Sequence, residues 1–198
     1  MAPPHRSQTE GTRRLVRKLI LYLTLSVDGF IADAEGGVAW LSGAPGEDYG
    51  YADFYRSVEG VLLGRRTYEQ IVGWGGSFPY PDKPVYVFTS NPRVQPVAPN
   101  VSVVVEPAAE YVARLKLDAG GPLWLGGGGS LARALLDARL VDEIDLFTQP
   151  VILGDGIPLF EPRHARLPLE LIETREWPAG IVENRYRVRS EWRALEKP

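Results

Sequence analysis

Residues 122–140 read PLWLGGGGSLARALLDARL. An apolar run stops at four consecutive glycines, Gly126 to Gly129, and a helix-forming pattern follows them. The stretch therefore reads as strand, glycine turn and helix. Such a turn brings backbone amides close to a ligand with no Cβ in the way. The helix start behind it carries partial positive charge, so phosphate is bound well there. The spacing is neither a G-x-x-x-x-G-K-[ST] loop nor a G-x-G-x-x-G fingerprint. A tight turn that merely opens a helix explains the glycines equally well.

The same arrangement recurs upstream. In LLGRRTYEQI (62–71) a buried strand, VLLG, ends at Gly64, and Arg65, Arg66 and Thr67 stand at the start of a helix. Cations are disfavoured at that end of a helix dipole, and a bound phosphate compensates them. Arginine also makes forked contacts to phosphate, and Thr67 can cap the helix or bond the same anion. Glu69 offers the plainer alternative of a local ion pair with either arginine. A third exit, VFTSN (87–91), presents Thr89 and Ser90, although Ser-Asn-Pro is also an ordinary turn signal. In an open α/β sheet, ligands bind beyond the carboxyl ends of the strands. Three such exits fit a dinucleotide.

Around these segments, strands alternate with helices. KLILYLTLSVDGFIA (18–32) reads as a strand, a turn at Asp28-Gly29 and a short continuation. A helix is expected from about Glu47, with Tyr51, Phe54, Tyr55 and Val58 on one side. Strands are expected at 83–91, 101–106 and 141–153, and a helix at 108–121 ended by glycines. Residues 169–192 read as two strands joined near Gly180. The pattern predicts an α/β fold: a mostly parallel central sheet, flanking helices, and an antiparallel C-terminal hairpin at its edge. No linker divides the chain. The expected organisation is a tail over 1–17, one domain over 18–193 and a short tail over 194–198.

Composition narrows the chemistry. Apolar residues make up 44% of the 198 residues, enough for a sizeable core. The net charge of −3 argues against nucleic acid as a partner. There are no cysteines, so no disulfide, cysteine-bound zinc or thiol nucleophile exists. The two histidines, His5 and His164, leave little material for a metal site or a Ser-His-Asp triad. No metal is expected. No apolar run is long enough to span a membrane, and residues 1–17 lack the apolar stretch of a signal peptide, so the expected location is the cytoplasm. Chemistry is left to a cofactor or to carboxylates.

Among the acids, Asp48 and Asp53 bracket the start of the first helix. A partly buried carboxyl there can protonate a substrate, while a helix cap is the plainer reading. Asp28 reads as a turn residue, and Asp142 and Glu143 as the start of a strand or a helix cap. Trp40, Tyr49, Tyr51, Tyr55 and Trp74 surround the loops in question and can stack on a planar ring or fill the core.

The segments LSVDGFIA, LLGRRTYE, VFTSN and LWLGGGGSLARALLDARLVDEIDLFTQPVILGDGIPLF, in this order, resemble the dihydrofolate reductase-like superfamily. The chain is most similar to the stand-alone form of the reductase domain of bacterial riboflavin biosynthesis, over residues 18–192. The resemblance implies the three-layer dihydrofolate reductase-like fold, NADPH as hydride donor, and a homodimer. It implies that Gly64, Arg65, Arg66 and Thr67 grip the cofactor phosphates and that Thr89 and Ser90 lie by the 2′-phosphate. Gly126, Gly127, Gly128, Gly129, Ser130 and Leu131 would meet the pyrophosphate and nicotinamide side, with Ala32 along the nicotinamide. Trp40 resembles a tryptophan near the substrate. Asp48, sixteen residues before Gly64, falls where the folate enzyme holds its pterin with a single acid. The expected function is therefore an NADPH-dependent reductase of a small heterocyclic or carbonyl-like substrate. The zinc deaminase domain of the full riboflavin protein has no counterpart here. The alternatives are a non-catalytic nucleotide-binding protein that keeps the fold, true dihydrofolate reductase activity, and a flavin or deazaflavin in place of NADPH.

Overall fold

The first strand among the described residues lies in the interior of the sheet. In the computed structural model, which describes residues 17–161 and 166–189, β1 (Leu19–Ser26) lies between two parallel neighbours from the far part of the sequence. The rest of the two expected tails, and both histidines, lie outside the described residues. After β1 come β2 (Phe30–Ala32), α1 (Tyr51–Ser57), β3 (Val61–Gly64), α2 (Arg65–Gly73), β4 (Val85–Phe88) and β5 (Val101–Val104). Then follow α3 (Ala108–Leu115), β6 (Leu123–Gly127), α4 (Gly129–Asp137), β7 (Glu143–Gln149), β8 (Ile157–Pro158), β9 (Leu169–Glu176) and β10 (Val182–Val188).

Eight strands form one sheet in the order β5-β4-β3-β6-β1-β7-β10-β9. From β5 to β7 all pairings are parallel, while β10 is antiparallel to β7 and β9 to β10. VLLG is uninterrupted in hydrophobicity because β3 is buried on both faces. Leu62 belongs to a core with Leu19, Leu21, Leu123 and Leu125 under α3 and α4. Val61 and Leu63 point the other way, to Val85, Val87 and Trp124, where α2 adds Tyr68 and Ile71 one turn apart.

On this second face the apolar packing changes character at β1. Tyr22 stacks on Phe54 of α1 with ring centroids 3.8 Å apart. Beyond it, the register puts Asp145 beside Tyr22 and opposite Arg185, and Glu183 opposite Phe147 and Arg175. Charged side chains thus occupy the α1 side of β7, β10 and β9.

Three local expectations need correction. α1 begins at Tyr51 rather than near Glu47, because Tyr49 and Gly50 take positive φ angles of 54° and 75°. β4 stops at Phe88, where Thr89 leaves the strand for a turn. The segment after β7 also forms a ladder of its own: β8 pairs antiparallel with β2 in a second, two-stranded sheet. Among the described residues no helix is long and apolar enough to cross a membrane.

Candidate active site

β4, β3 and β6 are parallel neighbours, so their carboxyl ends open on one edge of the sheet. Two of these exits are pressed together. The β3–β6 pairing jumps from Leu62↔Leu125 to Leu63↔Gly127, which leaves Gly126 as a bulge. A Cβ at Gly126 would lie 3.0 Å from Leu63 Cδ2 and 3.2 Å from Trp124 Cε2. Gly127 and Gly128 then turn the chain with φ angles of +141° and +86°, which side chains resist. A Cβ at Gly64 would meet the Gly127 carbonyl oxygen at 3.4 Å. The starts of α2 and α4 therefore stand side by side. Gly64 and Gly128 are their N-caps, and neither helix receives a side-chain cap. Their first amides are left for another acceptor.

The predicted side chains fall into distinct surroundings. Arg65 pairs with Glu69 one turn on at 2.9 Å, the plain local bridge. Arg66 is exposed and has no carboxylate partner among the described residues. Thr67 is half-buried and faces the glycine turn. Thr89 Oγ1 accepts the Asn91 amide at 3.0 Å, while Ser90 is exposed at the neighbouring exit. The Ser130 hydroxyl donates to Glu161 at 3.0 Å, and Leu131 is buried in the core. Ala32 is buried in β2, paired with Ile157.

The loop between β2 and α1 lies at the carboxyl end of β7: the Gln149 amide donates to the Ser42 carbonyl at 3.0 Å. Within this loop the Trp40 indole N–H is buried and has no acceptor among the described residues. Asp48 is exposed, and its two oxygens accept the Gly50 and Ala52 amides at 3.0 and 3.2 Å. That geometry holds the first turn of α1. Asp53 is likewise exposed and pairs with Arg56 at 2.7 Å. Asp28 does more than turn the chain. It accepts the Ser26 hydroxyl at 2.6 Å and the amides of Leu153 and Gly154 at 3.2 and 2.8 Å, and these bonds hold its carboxyl below the usual range.

The sequence reading missed a second feature. A cavity of about 320 Å³ lies between the start of α1, β7 and the C-terminal hairpin. Tyr22, Phe54, Phe147 and Trp177 wall it, and Asp145 and Glu183 line it from the sheet. Both acids are buried. Burial, and then the charge of Glu183, push the Asp145 carboxyl up to about 7, although Arg185 stands 3.4 Å away. Burial also raises Tyr22, with Asp145 and Glu183 adding to the effect. The alternation in EIDL (143–146), with Ile144 and Leu146 on the core face, was the available signal, but it equally describes a strand with one wet face.

Known proteins share this architecture. A protein from Shewanella sp. PV-4 named for riboflavin biosynthesis aligns with a TM-score of 0.78 at 25% identity, covering 87% of this chain and 99% of its own. Dihydrofolate reductase from Enterococcus faecalis, solved with NADP(H), aligns with a TM-score of 0.65 at 20% identity, covering 87% and 97%. The fold is therefore dihydrofolate reductase-like, as the sequence motifs imply. In sequence, YwjB of Bacillus subtilis is 40% identical over 166 residues, 83% of this chain and 95% of that protein. YyaP of the same organism is 32% identical over 182 residues, 84% and 93%. Residues 17–182 match the RibD C-terminal domain, and the chain belongs to that family of reductase-like proteins.

Proposed function

We propose that the protein is an NADPH-dependent reductase of a small carbonyl or imine substrate. The observation that carries this reading is the pair of uncapped helix starts at Gly64 and Gly128, joined by a glycine turn with positive φ at Gly127 and Gly128 and backbone 2.6 Å from a Cβ at Gly129. Amides at two adjacent helix N-termini favour a pyrophosphate. Arg66, with no carboxylate partner among the described residues, supplies a cation for the phosphates, and Thr89 and Ser90 offer hydroxyls at the next exit. The Enterococcus enzyme of the same fold binds NADP(H), and the Shewanella structure is named for riboflavin biosynthesis. When bound, the cofactor would supply the hydride. This chain's residues would hold its phosphates and orient the ring. They would also shield the reacting carbon, with Trp40 and the loop carrying Asp48 on the substrate side. The orphaned Trp40 N–H supports a ligand acceptor there.

The chain is further proposed to pair as a homodimer through β9, an edge strand that exposes Leu169 and Leu171. Calorimetric titration with NADPH and NADH tests the cofactor reading. Binding of NADPH, followed by its oxidation in the presence of a C=N or C=O compound, is the expected result. Failure to bind either dinucleotide overturns it.

A further inference from the structure

The cavity under α1 contains an arrangement that structural packing does not require. Asp145 and Glu183 sit diagonally across the β7–β10 pairing on the same face, buried to 6% exposure each. Asp145 Oδ1 is buried and receives no donor among the described residues. Glu183 Oε2 accepts the Trp177 indole N–H at 2.8 Å. The charge of Glu183 on the same buried face opposes ionisation of Asp145, and a proton on Asp145 removes that repulsion.

The surroundings fix how such a proton behaves. From β10, Arg185 reaches Asp145 Oδ2 at 3.4 Å, but it also serves Glu173 at 3.2 Å and lies 4.0 Å from Glu143. From β9, Arg175 is 3.9 Å from Glu183 and is held by Glu173 at 2.9 Å. From β1, the Tyr22 phenol faces the pair, and α1 contributes Asp53 to the cavity wall. Glu143 is further engaged by Lys18 at 2.7 Å. The two arginines are shared among Glu143, Asp145, Glu173 and Glu183, so they do not cancel the charge of a doubly ionised pair.

We propose that the cavity beneath α1 is the substrate pocket and that the Asp145–Glu183 pair is the proton donor of the reduction. The proposal rests on the reductase reading above. When bound, a reduced nicotinamide would supply a hydride, with its electron pair, to the carbon of a C=O or C=N bond. The pair gives its proton to the oxygen or nitrogen of that bond. Oxidised nicotinamide and an alcohol or amine leave, and solvent returns one proton to the pair. The aromatic walls suit a planar substrate, and the neutral member of the pair presents an O–H to it. Tyr22 connects this pocket to the cofactor edge: its carbonyl accepts the Trp124 indole N–H at 3.0 Å, and its neighbour Leu23 lies against Gly127.

The test uses the full chain and the variants Asp145→Asn and Glu183→Gln, which keep side-chain size. Infrared difference spectra of the protein alone, without cofactor, should show a protonated carboxyl stretch at pH 6. It should fade through neutral pH in the wild type and be absent in Asp145→Asn. NADPH oxidation is followed with 7,8-dihydrofolate as a C=N probe and D-ribose 5-phosphate as a C=O probe, each at millimolar concentration. Asp145→Asn should lower kcat by about 10²- to 10⁴-fold with NADPH affinity unchanged. Wild-type turnover should fall as the carboxyl deprotonates. A wild type with no titrating protonated carboxyl, or an Asp145→Asn variant that turns over either probe as fast as wild type, overturns the assignment. Wild-type protein that binds no NADPH, or binds it and reduces neither probe, overturns the reductase reading and with it the donor role. The infrared result then stands separately as a measure of the pair.

Discussion

Thr67 of α2 lies directly against Gly127 of the β6 turn: a Cβ on that glycine would stand 3.2 Å from both Thr67 Cγ2 and Thr67 Oγ1. The contact explains why the two phosphate-compatible exits are one place rather than two. It also separates residues that shape the cradle from residues that carry its charge, and the separation can be measured.

Arg65 and Arg66 should differ. Arg65 already has Glu69 at 2.9 Å, whereas Arg66 has no carboxylate partner among the described residues. Arg66→Ala is expected to weaken NADPH binding by about tenfold or more, the scale of one lost charge-assisted contact. Arg65→Ala should cost less, and Glu69→Gln should slightly improve binding by releasing Arg65. Titration calorimetry at two salt concentrations checks this. Equal effects of the two arginine variants would contradict the distinction.

Gly129→Ala should damage the fold rather than the charge of the site. Its Cβ would stand 2.6 Å from the Pro158 carbonyl oxygen, and that backbone cannot rotate out of the way. A loss of about 1–3 kcal/mol is expected, as for other overpacked positions. Urea melts report it. A melt that coincides with wild type would show that the 156–159 segment gives way freely.

Asp145 makes stability depend on pH in an unusual direction. Its carboxyl is raised in the folded state to about 7, so the folded chain binds the proton more tightly than the unfolded one. The contribution is fully present below the ordinary carboxylate range and is lost as pH rises through neutral. Wild-type protein should therefore lose stability between about pH 4 and pH 7 relative to Asp145→Asn, whose melting temperature should be nearly flat over that interval. Parallel thermal melts decide, and a flat wild-type profile would count against the raised value.

Asp48 separates a helix-capping carboxylate from a reacting one. Asp48→Ala removes acceptors from the amides of Gly50 and Ala52 and should cost about 0.5–2 kcal/mol. Asp48→Asn keeps an acceptor for one of them and should recover part of that loss. An Asp48→Asn variant that abolishes turnover of whichever probe the wild type reduces, with stability little changed, would place Asp48 in the reaction and count against the Asp145–Glu183 pair as the donor.

The framework of the fold was legible because its strands obey simple patterns. VLLG and LWLG are uniformly apolar because both faces of β3 and β6 are buried, and the glycines and Asp28-Gly29 mark turns that need them. The start of α1 was misplaced because Tyr49 adopts a left-handed conformation that nothing in its type requires. The β2–β8 pairing was invisible because it joins segments far apart in sequence, and β8 has only two residues. Of the site, the glycine turn and the arginine exit could be read, since each is local. Asp145 could not, because its burial comes from α1 above and from a hairpin contributed by the last residues described.

The central place of β1 has a consequence for synthesis. Leu19 finds its partner at Leu123, and Ile20 on its other side waits for Glu143. On a ribosome adding about 5–20 residues per second, LILYLTLS leaves the exit tunnel several seconds before either neighbour exists. During that interval a strand with five leucine or isoleucine side chains has two unpaired edges. Nascent chains stalled before residue 123 should therefore be the form most dependent on chaperones, whatever the stability of the finished domain.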